Sequence, residues 1–291
     1  MFIGRRRRRW WLVVVAVLVV MAAVLGYGYA ETYWIQIKEY SFASPDLPRE
    51  FDGTRVVFVA DIHRGPFFSE DRVRSLTEQV NSLAPDLVVL GGDYVYADLS
   101  YLDSCLDGLR GLDAPLGVYA VLGNHDYGQH GDGKYGPAPA IEAFELSNVS
   151  LLHNRAVWIE REAARLRIGG CSDYQQGTPL YTPTLEGAEA RDFVLLISHN
   201  PDFAESLPMD EVDLMLSGHT HGGQVTLFGL LAFHLPSDYG QKYRTGLVTN
   251  DKTTVIVSNG VGTSGFLPIR LFARPQIVVV TLHAAANLQP E

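Results

Sequence analysis

The sequence predicts an α/β domain carried behind one apolar N-terminal segment, and three observations lead there. Five short apolar runs, residues 56–60, 87–90, 118–122, 193–197 and 212–216, have the length and composition of buried strands. Each is followed almost at once by polar residues able to act on a ligand: Asp61-Ile62-His63, Gly92-Asp93, Gly123-Asn124-His125-Asp126, Ser198-His199-Asn200 and Ser217-Gly218-His219-Thr220-His221-Gly222-Gly223-Gln224. In open α/β sheets ligands bind outside the carboxyl ends of the strands, which is where these residues fall. Helical patterns lie between the strands. The chain has 291 residues, enough for one domain of roughly 250 residues with a sizeable core.

Taken in order, Arg5–Arg9 form a basic block ahead of residues 10–30, which carry no charge. At ~1.5 Å per residue a helix over this stretch is about 30 Å long, one hydrocarbon thickness. The arginines favour an N-terminus kept in the cytoplasm and a domain delivered across the membrane. The division is therefore a basic cytoplasmic tail at 1–9, an anchor at 10–30 and a folded domain at 31–291, placed outside the cytoplasm on a single-pass membrane protein. The alternative is a cleavable signal, since Arg8-Arg9-Trp10-Trp11-Leu12 resembles a twin-arginine signal and Gly28-Tyr29-Ala30 a small-residue cleavage site. The apolar run exceeds the usual signal core, which favours the uncleaved anchor.

Residues 32–42 alternate polar and apolar side chains and predict an edge strand, followed by a linker at 44–48. Residues 69–83 predict a helix capped by Ser69, acidic in its first turn, with Val73, Leu76, Val80 and Leu83 on one face and Pro85 closing it. Further helices are predicted at 99–109 and, briefly, 141–146, with a helical turn at 204–207. Residues 128–139, rich in glycine and proline, predict a loop over the site. A hairpin on a second sheet is predicted at 157–168, and late strands at 255–257 and 277–282. Residues 227–235 are strongly apolar and predict a buried strand or hairpin, the other reading being an apolar lip beside the site.

Apolar residues at 47% and charged residues at 19% describe a globular protein with one membrane segment. Formal net charge is −10, and five of the 23 basic residues are Arg5–Arg9, so 33 acids face 18 bases beyond them. That surface disfavours polyanionic duplexes, and nucleic acid is not expected as a partner. Two cysteines, Cys105 and Cys171, make neither a disulfide framework nor a zinc-finger spacing. His219 and His221, two residues apart in extended backbone, would point to one side and converge on one site.

The motifs D-x-H, G-D, G-N-H-D, a lone His and G-H-x-H, in this order, resemble the calcineurin-like metallophosphoesterases over residues 54–282. G-H-T-H-G-G-Q at 218–224 and the late Gly260-Val261-Gly262-Thr263-Ser264 and Pro268-Ile269-Arg270 are similar to the bacterial membrane-associated branch of that family. The resemblance implies a four-layer α/β/β/α sandwich of two mixed sheets flanked by helices. It implies a phosphomono- or phosphodiesterase using two divalent metal ions (Mn, Fe or Zn), which clamp the phosphate and supply a metal-bridged hydroxide. Asp61, His63, Asp93 and His221 would hold one metal, and Asp93, Asn124, His199 and His219 the other, with Asp93 bridging. His125 would protonate the leaving oxygen or stabilise the transition state. Asp126 either orients His125 or is a structural acceptor. Tyr96 stands where the family's protein phosphatases carry a second Asp, which puts that pairing of His125 in doubt. The substrate would be a phosphoester, lipid-linked where residues 227–235 form the apolar lip and present headgroups to the metals, and UDP-2,3-diacylglucosamine pyrophosphate hydrolysis is the alternative activity.

Other features receive plainer readings. His130, His153, His234 and His283 match no motif position and are read as surface or core residues. Residues 260–265 fit G-x-G-x-x-G, but Pro268 denies them a following helix and no acid lies about 20 residues on, so a dinucleotide site is rejected.

Overall fold

The computed structural model describes residues 3–96, 98–128 and 132–285, with side chains from residue 10 onward. Helix α1 (Ile3–Glu31) is continuous and leaves most of its apolar side chains exposed. Its Trp10–Glu31 portion, 22 residues, is long and apolar enough to cross a membrane. The predicted edge strand begins four residues late, as β1 (Gln36–Ser44). Residues 32–34 instead continue the helix's turn, their N–H groups donating to the carbonyls of Tyr29, Ala30 and Glu31.

Two mixed six-stranded sheets form the body. In the first, β1 pairs parallel with β14 (Gln276–Ala284), which runs antiparallel to β2 (Arg55–Val59). Strands β3 (Leu87–Leu90), β4 (Val118–Ala120) and β5 (Ser150–Leu151) then continue in parallel. In the second, β12 (Gly246–Thr249) is antiparallel to β13 (Thr254–Val257), which is followed in parallel by β9 (Leu214–Ser217), β8 (Val194–Ile197) and β7 (Ala164–Gly170). The hairpin partner β6 (Arg155–Arg161) closes the edge.

Alternate residues of each strand face opposite ways, so each sheet has two buried faces. Val56, Phe58, Leu87 and Val89 meet Ile168, Leu195, Leu214 and Ile256 in the core between the sheets. Val57, Val59, Val88 and Leu90 pack outward with Val73, Leu76 and Val80 of α2 (Glu70–Ser82), Cys105 and Leu109 of α3 (Leu102–Leu109), and Phe144 of α4 (Ala138–Glu145). The opposite outer face is covered more thinly. Phe203, Ala204 and Leu207, in and just after the 3₁₀ segment Pro201–Ser206, and the one-turn helix α5 (Thr182–Leu185) pack on Val194, Leu196, Met215 and Val255. These are the four layers expected, and both cysteines are buried and unpaired.

Local chemistry accounts for the helix ends. Ser69 caps α2 by accepting the Arg72 N–H. The helix predicted at 99–109 divides into a 3₁₀ turn (Leu99–Tyr101) and α3, with the Asp98 carboxylate accepting the Ser100 N–H at the start. Helix α4 starts three residues earlier than predicted, because Pro139 is tolerated in a first turn. His130 and part of the loop predicted at 128–139 lie outside the described residues.

The expected burial of residues 227–235 is overturned. Residues 227–235 do form a small hairpin, β10 (Thr226–Leu227) with β11 (Leu231–Ala232), but it is not buried: Leu227, Phe228, Leu230, Leu231 and Phe233 are exposed and only Ala232 is covered.

Candidate active site

All seven predicted ligands and His125 meet at the carboxyl ends of β2, β3, β8 and β9 and the loop after β4. Asp61, His63 and His221 each offer an atom within 4.8 Å of the others; so do Asp93, His199 and His219. Asp93 joins the two groups, with Oδ2 3.3 Å from Nε2 of His199 and 3.5 Å from Nε2 of His63. His63 Nε2 lies 3.0 Å from Nε2 of His221, and His199 Nε2 lies 3.2 Å from Nδ1 of His219. His219 and His221 thus belong to different groups. They do not sit in extended backbone, as the sequence reading assumed: φ is 68° at His219 and 52° at His221.

Left-handed backbone is shared by Asp61, His63 and Asp93 as well (φ 55°, 50° and 57°). For residues other than glycine this costs about 1–3 kcal/mol each and persists only where the surroundings enforce it. The enforcement is visible. The Asp126 carboxylate accepts the N–H groups of Asp93, Tyr94 and Gly123, each at 2.9 Å, so it is a structural acceptor and does not orient His125. The Asp61 carboxylate accepts the His219 N–H at 3.0 and 3.1 Å. Val261 and Gly262 donate to the carbonyls of Ala60 and Asp61, so the G-x-G-x-x-G stretch serves close packing against the Asp61 loop.

Arg270 is the functional neighbour that sequence reasoning missed, although the Pro268-Ile269-Arg270 motif was visible. It is fully buried, and its guanidinium donates to the carbonyls of Ala273 and Asn259 (both 2.8 Å), Gly262 and His221. It ties the glycine loop to the backbone of His221.

His125 is half-buried, and its Nδ1 is 2.7 Å from the Tyr96 carbonyl oxygen. A carbonyl only accepts, so Nδ1 carries the proton and donates. The main chain of Tyr96 supplies the orienting group that the missing second Asp left in doubt. His63, Asp93 and His125 also form a candidate ligand cluster. Of the remaining histidines, His153 is half-buried, His283 lies 3.3 Å from Asp52 at the surface, and exposed His234 lines the cleft.

The donor set fits divalent cations. Burial pushes His63 and His219 down to about 3 and holds His221 well below the usual range, so these imidazoles are neutral, the form that ligates. Burial raises Asp61 to about 7, with the Asp93 charge adding to it. His199 would be lowered by burial, but Asp93 outweighs that and drives it to about 10. Two buried carboxylates are thus drawing positive charge into the site. Asn124 Oδ1, an acceptor, is buried without a hydrogen-bond partner. The His199 Nδ1–H donates to the Gly91 carbonyl at 2.7 Å, leaving Nε2 toward Asp93. The cleft above, of about 500 Å³, is lined by Asp93, Asn124, His125, His219, His221 and, on its outer wall, Phe233.

Such a constellation on two packed α/β sheets defines a metal-dependent phosphoesterase. Residues 54–223 match the family model of the calcineurin-like phosphoesterases, and the chain belongs to that family. It is 31% identical over 266 residues to the uncharacterized metallophosphoesterase YkuE of Bacillus subtilis, covering 89% of this chain and 90% of that one. An uncharacterized metallophosphoesterase of Aquifex aeolicus is 30% identical over 92% of this chain and 99% of its own length. The Danio rerio transmembrane protein with metallophosphoesterase domain is 30% identical over 82% of this chain, which spans 55% of that protein. Among solved structures, the Haemophilus influenzae NAD nucleotidase shares the fold, with a TM-score of 0.50 at 12% identity over 72% of this chain and 45% of that one.

Proposed function

We propose that this chain is a membrane-anchored phosphoesterase that hydrolyses phosphomono- or phosphodiesters with two divalent cations. Asp61, His63, Asp93 and His221 would hold one cation, and Asp93, Asn124, His199 and His219 the other. The observation that carries the reading is the Asp93 carboxylate, which stands within 3.5 Å of histidines from both groups. Bound cations of this kind neutralise phosphoryl oxygens and lower the pKa of a coordinated water.

The chain's own residues do the rest. His125 holds a proton at Nδ1 against the Tyr96 carbonyl, which fixes the orientation of the ring. Its Nε2 then holds the proton destined for the leaving oxygen. Asp126 keeps the loops bearing Asp93 and Asn124 in register through three backbone hydrogen bonds. Arg270 does the same for His221.

The anchor reading draws support from the last turn of α1, which is fastened to the domain. The Gly28 carbonyl accepts the Arg270 N–H and the buried Glu31 carboxylate accepts the Phe272 N–H, both at 2.9 Å, and Arg72 donates to the Thr32 carbonyl at 2.9 Å. Cleavage after Ala30 would remove the first of these. The relative from Danio rerio is named as a transmembrane protein. The comparisons lend no support to the UDP-2,3-diacylglucosamine alternative, and it is not carried further.

The test is to compare Asp93→Asn with Asp61→Asn. A carboxylate serving both cations should be the costlier loss, in bound metal and in turnover of a water-soluble phosphodiester. Equal, partial losses would refute the bridging role.

A further inference from the structure

We infer that the substrate is a phosphoester lipid taken directly from the bilayer, with the exposed hairpin and the 266–267 tip inserted into the membrane surface beside the cleft. The inference rests on the anchored-phosphoesterase reading above and names its substrate class.

The apolar surface is large and placed around the cleft. Phe266 is 96% exposed, Leu230 80%, Phe233 72% and Phe228 71%. Phe233, Ser264 and Gly265 line the cleft itself, so the hairpin and the tip form its rim. Soluble proteins rarely leave such a patch open to water unless it meets a partner or a membrane.

Continuity with α1 identifies the occupant. The Phe228 ring lies 5.3 Å from that of Phe272, which lies 5.8 Å from Tyr27 on α1. Tyr27 lies 5.8 Å from Trp34. An aromatic path thus runs from the helix end to the rim. The apolar portion of α1, Trp10–Glu31, is about 33 Å long at ~1.5 Å per residue, so Tyr27 falls near one edge of the hydrocarbon layer. Aromatic residues favour that level. The hydrogen bonds of Gly28 and Glu31 hold residues 270–272 against the helix end, so the rim stays at the depth of the interface. Lys38, Arg244 and Arg274, together with Glu31, line an adjoining hollow with Tyr27 and Phe228, so bases outnumber the acid where a lipid phosphate would lie. A lipid could keep its chains in the bilayer while its phosphoester enters the cleft. A protein partner would not require the rim to be level with the helix end.

The experiment uses the full chain reconstituted in phospholipid vesicles. Phe266→Cys is labelled with an environment-sensitive fluorophore, Cys105 and Cys171 being buried, and Leu146→Cys, 83% exposed, serves as the distant control. Lipids carrying a shallow acyl-chain quencher should quench the label at 266 and spare that at 146. In parallel, the double variant Phe228→Asp/Phe266→Asp is assayed on a vesicle-borne phosphoester lipid and on bis(4-nitrophenyl) phosphate. The ratio of lipid to soluble turnover should fall roughly tenfold or more, because a charge opposes insertion of each side chain. An unquenched label at 266, or an unchanged ratio, overturns the inference. Absence of metal-dependent turnover of the soluble ester in the unsubstituted chain would instead overturn the phosphoesterase reading, and the quenching result would still stand by itself.

Discussion

Nδ1 of His125 lies 2.7 Å from the carbonyl oxygen of Tyr96, and the two rings stack at 5.6 Å. A main-chain acceptor therefore fixes the tautomer of the histidine that lines the cleft beside Asp93 and Asn124. General acid catalysis contributes about 10²–10⁴-fold, or roughly 3–5 kcal/mol of barrier. His125→Asn should reduce turnover of alkyl phosphoesters by that order while metal content is kept. Esters of nitrophenol, whose leaving group needs little protonation, should suffer much less. The slope of rate against leaving-group pKa reads this directly. Equal losses across leaving groups would make His125 an electrostatic stabiliser, and lost metal would make it a ligand.

Asp126 is fully buried with three main-chain N–H groups on its carboxylate. Leaving buried donors unpaired costs about 1–3 kcal/mol each. Asp126→Ala should accordingly lower unfolding free energy by at least about 3 kcal/mol, measured by chemical denaturation. A change below about 1 kcal/mol would mean that water replaces the carboxylate without loss.

Gly262, in the glycine loop at 260–265, packs directly on the backbone just past β2, its N–H donating to the Asp61 carbonyl at 2.7 Å. A Cβ there would overlap the carbonyls of Ile62 and Asp61. Because the obstacle is backbone, the loop must move and take the packing on Asp61 with it. Gly262→Ala should weaken metal retention during dialysis and lower the melting temperature. Unaltered metal affinity would show that the Asp61 loop holds its shape alone.

Orientation in the membrane is a separate expectation. With Arg5–Arg9 retained inside, a reporter fused after Glu291 should register as extracytoplasmic, and protease added to cells stripped of outer layers should degrade the domain. Protection from that protease would put the domain on the cytoplasmic face.

Strands and candidate ligands were readable because a strand buried on both faces appears as an unbroken apolar run, so a carboxylate or imidazole at its end stands out. The left-handed conformations of Asp61, His63, Asp93, His219 and His221 were not readable. They are imposed by partners remote in sequence, such as Asp126 on Asp93 and Gly262 on Asp61. Extended backbone was the wrong premise for His219 and His221 for the same reason. Tyr96 contributes a main-chain atom, which residue type does not reveal. Arg270 stood in a visible motif with no role attached, and only the convergence of carbonyls from residues 221, 259, 262 and 273 explains its burial. Residues 227–235 had the composition of a core hairpin. Composition does not distinguish a protein core from an apolar surface left open beside α1.

The central claim is that the Asp61–His221 and Asp93–His219 groups act through bound cations, and exhaustive chelation of the full chain tests it most directly. Turnover of bis(4-nitrophenyl) phosphate should vanish as elemental analysis shows the metal gone, and should return on adding Mn²⁺ or a related divalent ion, with about two ions bound per chain. Full turnover by a preparation shown to be free of metal would contradict the account.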